Sequence, residues 1–131
     1  MHLSLEDQKK YKSLYVETER EYVQALLHTL QLLREDATNQ EAITIAHRSV
    51  HTLKSQNTLM NHEQISQAAG IMENLLKQVL NKTQTLSVAL LDALLTTAGE
   101  MNEAINAIEN NEAEKDLSKG LAQLTEIIEH N

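Results

Sequence analysis

The chain has 131 residues and a net charge of −8, and it lacks proline, cysteine, phenylalanine and tryptophan. That length fits one domain, and without cysteine there is neither a disulfide framework nor thiolate chemistry, as suits a reducing cytoplasm. The acidic balance disfavours nucleic-acid backbones and anionic membrane surfaces, and no apolar run reaches the roughly 20 residues that cross a bilayer.

Only three glycines punctuate the sequence, and Ala, Leu, Glu, Gln and Lys dominate it. Such a chain favours long helices over strands. The first predicted helix runs from about Leu5 to about Arg34, with Ser4 as N-cap and Tyr11, Tyr15, Tyr22, Leu26, Leu30 and Leu33 at helical spacing. The tyrosines read as packing residues. A polar link, Glu35 to Asn39, leads to a second helix from about Gln40 to about Met60. Its seam is Ile43, Ala46, Val50, Leu53, Asn57 and Met60. Asn61 and His62 form a short turn, with Asn61 able to cap one helix or both. The third helix spans about Glu63 to Leu80 and turns Ile65, Ala68, Met72, Leu75 and Val79 inward. The fourth spans about Leu86 to Ile108, and the fifth about Glu114 to His130 with Leu117, Leu121, Leu124 and Ile128 inward. Short links between amphipathic helices imply an all-α fold: an up-down antiparallel four-helix bundle with an additional fifth helix.

No glycine-rich phosphate loop and no G-x-S-x-G elbow is present, so the chain carries no recognisable ATP site or serine nucleophile of its own. Chemistry near neutrality therefore falls to the six histidines. His2 and His130 lie near the ends, and His28 and His62 have bland surface or turn roles as their plainest reading. His47, His51, Lys54 and Thr58 share one stripe of the second helix, beside the apolar seam. Arg48 and Lys54 each stand three residues from His51 and place positive charge near its ring. If the hairpin turns at Asn61 and His62, then His51 lies about ten residues before the turn and Glu73 about eleven after it. At roughly 1.5 Å of rise per residue the two sit at nearly the same height. Glu73 is then placed to accept from His51 Nδ1–H, which leaves Nε2 unprotonated as a nucleophile requires. His47 faces Leu76 in the same construction and has no such partner.

At these residues the sequence resembles the histidine phosphotransfer (HPt) family, in particular the amino-terminal domain of CheA-type chemotaxis histidine kinases. The resemblance rests on His51-Thr52-Leu53-Lys54, on Met72-Glu73-Asn74-Leu75-Leu76 at the family's separation, and on Leu14-Tyr15-Val16-Glu17 followed by Leu26 and Leu30. It covers about Tyr11 to Glu129. It implies that His51 is the phosphoacceptor, that Lys54 helps neutralise the phosphoryl group, and that Glu73 orients the ring, with Arg48 in support. It also implies a monomeric, cytoplasmic domain whose partners are a histidine kinase catalytic domain and a response-regulator receiver, with ATP and Mg²⁺ on those partners and no cofactor of its own. Where the family has glycine or another very small residue after the lysine, this chain has Ser55 and Gln56; Ser55 is small enough to be harmless, whereas Gln56 is an expected obstacle to docking. Asn61 replaces a later glycine, and Gly70 stands where some members place a second histidine.

Two rival readings compete. One is a non-catalytic helical docking or dimerisation module, which needs only the bundle. The other is a Zn²⁺ site formed by His47, His51 and Glu73, although the sequence has no H-E-x-x-H pattern.

Overall fold

The computed structural model describes residues 4–130, and His2 lies outside them. Five helices follow one another: α1 (Leu5–Glu35), α2 (Gln40–Leu59), α3 (Glu63–Leu80), α4 (Val88–Glu109) and α5 (Ser118–Glu129). No strand occurs among the described residues. Side-chain caps start three of the helices. Ser4 accepts from Asp7 N–H at 3.1 Å, Asn39 from Ala42 N–H at 3.0 Å and Ser87 from Leu90 N–H at 3.1 Å. Each satisfies one of the orphan donors of a first turn.

The other ends are handled without glycine. Asn61, Lys82 and Asn111 take left-handed backbone angles, with φ of 62°, 62° and 55°. After α2, His62 N–H bonds Asn57 O at 2.9 Å and Asn61 N–H bonds Thr58 O at 3.3 Å. The same pair of bonds closes α3 through Thr83 and Lys82, and α4 through Glu112 and Asn111. This is the Schellman arrangement. Asn61 therefore ends α2 but does not cap α3, whose N-cap is His62 without a side-chain bond.

Polar rungs fix the helix directions. Arg20 reaches Glu109 (3.0 Å), Gln24 reaches Asn102 (3.3 Å) and Arg34 reaches Asp92 (2.7 Å), so α1 and α4 run antiparallel. Tyr15 and Glu19 both meet Asn57, which sets α1 against α2. The hairpin α2–α3 completes the bundle, and α5 packs on α4 with a lesser contact to α3. Leu26, Leu30, Leu33, Leu53, Met72, Leu94, Met101 and Ile105 are among the wholly buried side chains.

Several expectations need correction. Tyr11 is exposed at the end of the bundle rather than packed, as are Met60 and Ile128, each placed beyond the last buried turn of its helix. The fourth helix starts at Val88 because Ser87 caps it, two residues later than the apolar pattern suggests. The fifth starts at Ser118 and not Glu114. Asp116 takes both the N–H (2.9 Å) and the hydroxyl (3.0 Å) of Ser118, an alternative to helix that Asp offers its own neighbourhood. Only Gly120 admits α5 so close to α4: a Cβ there would stand 2.3 Å from Thr97 Oγ1 and 2.9 Å from Thr97 Cα.

Candidate functional site

The Asn61 turn returns α3 along α2 with a definite register. Nearest the turn, Thr58 and Ser66 share a hydroxyl bond of 2.5 Å. Thr58 already donates to Lys54 O at 2.8 Å, so Ser66 is the donor of that rung. Farther along, Lys54 Nζ meets Glu73 Oε1 at 3.2 Å and His51 Nδ1 is hydrogen-bonded to Glu73 Oε2. One carboxylate thus holds a histidine and a lysine of the facing helix, one on each oxygen. His51 and Glu73 thus sit at the same height on facing helices, as their residue counts from the turn predict.

Burial alone would raise the Glu73 carboxyl, whose side chain is 13% exposed. The hydrogen bonds from His51 and Lys54, and their charge, outweigh that and hold it below the usual carboxylate range. An ionised carboxylate can only accept, so Nδ1 carries a proton, and in the neutral ring the lone pair falls to Nε2. The His51 side chain is 61% exposed, which leaves Nε2 accessible from solvent. Lys54 is 47% exposed beside it. Its stem lies over Gly70, where a Cβ would meet Lys54 Cδ at 3.7 Å and Cε at 3.8 Å. The arrangement holds an uncharged ring nitrogen outward with a cation at its flank, suited to attack on an anionic electrophile.

The other predicted residues fall differently. Ser55 is exposed on the His51 face, one turn along. Arg48 is exposed and makes no ion pair with the site. His47 is half-buried with Nε2 buried and unpartnered, so it does not share the open stripe. Among the described residues no group of three His, Cys, Asp or Glu is placed to hold a metal ion. Gln56, five residues from His51, lies off the ring's face of α2 and lines a groove between α1 and α2. Sequence reasoning missed Glu19. It reads as a solvated charge in an acidic helix, yet it is wholly buried.

No family model matches the chain. Among curated proteins it is 28% identical over 116 residues to the chemotaxis protein CheA of Listeria monocytogenes and, equally, of Listeria innocua, covering 88% of this chain and 19% of those proteins. CheA of Bacillus subtilis is 23% identical over 119 residues, covering 90% and 18%. The chain thus spans about a fifth of the length of these relatives. Among solved structures, the CheA phosphotransferase domain from Thermotoga maritima superposes with a TM-score of 0.73 at 26% identity, over 76% of this chain and 95% of that one. The five-helix fold and these relatives define a histidine phosphotransfer type of domain. Within that class, the chain is homologous to the phosphotransferase domain of CheA.

No helix among the described residues is long and apolar enough to cross a membrane.

Proposed function

We propose that this domain is a phosphocarrier of a chemotaxis-type signalling system, with His51 as its phosphoacceptor. The observation that carries the reading is the pairing of His51 Nδ1 with an ionised Glu73, which leaves Nε2 free and exposed. Nε2 attacks phosphorus in line. The N–P bond forms as the bond to the donor's leaving oxygen breaks, and that oxygen departs with its electron pair as ADP or as a receiver's aspartate. The ring becomes positive as it attacks, and Glu73 stabilises the imidazolium until its Nδ1 proton passes to water; the proton returns before the reverse transfer. Lys54 offsets charge on the phosphoryl oxygens. The reverse step hands the group to a receiver aspartate.

In this reading the partners are a histidine kinase catalytic domain and a response-regulator receiver. They bring the ATP and Mg²⁺, and the setting is cytoplasmic. Ser55 gives a receiver close access to His51, and Arg48 adds only general positive charge.

The test is incubation with a phosphorylated donor, such as phosphoramidate or a kinase core with ATP, followed by mass mapping at neutral pH. The expected result is one acid-labile phosphate on His51, absent in His51→Gln. No label from a donor that phosphorylates a control HPt domain would leave the domain a docking module instead.

A further inference from the structure

Three side-chain polar atoms among the described residues are buried without a hydrogen-bond partner: Glu19 Oε1, Gln56 Oε1 and His47 Nε2. The first two belong to residues lining the same groove of about 430 Å³, between α1 and the end of α2. Two neighbouring donors, Tyr15 and Asn57, are already engaged. Tyr15 O–H donates to Asn57 Oδ1 at 2.5 Å. Asn57 Nδ2 donates to Glu19 Oε2 at 2.9 Å and to Leu53 O at 2.7 Å, which uses both of its protons. Nothing in that network is left for Glu19 Oε1. In its ionised form Glu19 thus adds a second unpartnered acceptor, Oε1, to Gln56 Oε1 at the base of the groove, while the rim is apolar, with Leu14 59% and Leu59 81% exposed.

A cationic head on an aliphatic stem matches both parts, because such side chains bury the stem against apolar surface and present several N–H donors. We propose that this groove receives a lysine or arginine side chain of a receiver domain docked over His51, its head bonded to Glu19 and Gln56 and its stem lying against Leu14 and Leu59. The receiver as occupant rests on the phosphotransfer reading. Leu59 lies about two turns beyond His51 on α2, roughly 12 Å away along the axis. That falls inside the footprint of a standard protein interface, about 800 Å² on each side. The net charge of −8 draws a basic partner surface towards this domain.

The test has two arms on the full chain. In the first, n-butylguanidinium is titrated into ¹³C-labelled protein, with n-pentanol as the uncharged control. Butylguanidinium is expected to shift Glu19 Cδ and the methyls of Leu59 and Met60 saturably. Pentanol should move the methyls alone, and Glu19→Gln should abolish the guanidinium response. In the second, transfer from phosphorylated domain to a receiver is followed with receiver concentration varied. Glu19→Gln and Leu59→Asp should each raise KM about tenfold, with the effect on KM and not on kcat. Leu59 is exposed, so its variant keeps the proposal testable should Glu19→Gln unfold.

A missing guanidinium response at Glu19 overturns the proposal, as does a Gln56 amide found donating to Glu19. An unchanged KM in both variants removes the receiver as occupant. Self-association of the chain that Leu59→Asp abolishes would assign the groove to a second copy and overturn the proposal. A guanidinium response in a protein whose His51 takes no phosphoryl group supports the cation site and sinks the phosphotransfer reading instead.

Discussion

Glu73 accepts from His51 Nδ1 across the α2–α3 seam, and it does so while its second oxygen holds Lys54. Positioning of the nucleophile and of the neutralising charge therefore runs through one side chain. Glu73→Ala should lower phosphoryl transfer about a hundredfold by freeing the ring and losing stabilisation of the imidazolium. Glu73→Gln should lose less, about tenfold, because the amide oxygen still accepts from Nδ1–H. Rapid-quench transfer assays would measure both. Equal losses for Ala and Gln would mean that charge, and not orientation, is what Glu73 supplies.

Lys54→Ala should reduce transfer about tenfold, and Lys54→Arg should recover part of it. The same ranking is expected when a small donor replaces the kinase, since the lysine acts on the phosphoryl oxygens. Full activity of Lys54→Ala with phosphoramidate would remove that role.

Stability should fall as pH rises from about 4.5 to about 7. Burial pushes the Glu19 carboxyl from 4.5 up to about 7, and the bond from Asn57 only partly opposes this. Between those values the folded protein keeps a proton that the unfolded chain has released, so each rise in pH favours unfolding. The loss is on the order of 3 kcal/mol and levels off above the folded value. Two other groups bear on this window. Tyr15 on the same helix, itself raised by burial and by Glu19, stays neutral throughout. His62, stacked on Tyr15 at 5.1 Å and lowered by burial, works in the opposite sense. The comparison is therefore with Glu19→Gln, whose melting temperature should lack the Glu19 part of the decline and exceed the parent's at pH 8. Glu73, held low by its partners, adds stability that is lost only on acidification below the usual carboxylate range. Parallel pH profiles for parent and variant would contradict a neutral buried Glu19.

Gly120→Ala should destabilise the domain by about 1 to 3 kcal/mol, because the new methyl meets α4 backbone as well as the Thr97 hydroxyl. It should leave phosphorylation of His51 intact below the melting transition. Thermal denaturation followed by circular dichroism, alongside the labelling assay, would show whether α5 is a brace or part of the working face.

The site was more legible in the sequence than the helix ends. His51 and Glu73 could be matched because the α2–α3 turn is short and helix rise is constant, so counting residues was enough. Asp116 defeated the same counting at α5, since a helix-forming run of Glu and Lys hides a side chain that bonds locally. The place of Gln56 was hidden by its closeness in sequence to Lys54, since a step of two residues turns a side chain to another face of the helix, here onto the α1–α2 groove. Glu19 was signalled only by its phase: it stands four residues after Tyr15 and three before Tyr22, on a stripe that excludes the exposed Glu17 and Glu21, and its burial is completed where α2 places Asn57.

The left-handed Asn61 has a consequence for which kinds of genetic change the domain tolerates. One extra residue between Met60 and Glu63 would break the Schellman turn that sets the phase of α3 against α2, and with it the reach of Glu73 to His51. Substitutions in this turn, even Asn61→Gly, leave that phase alone. Insertions and deletions should therefore be absent from this hairpin in working descendants of the gene, while the longer links around Thr83 and Ala113, which set no such phase, are free to change length.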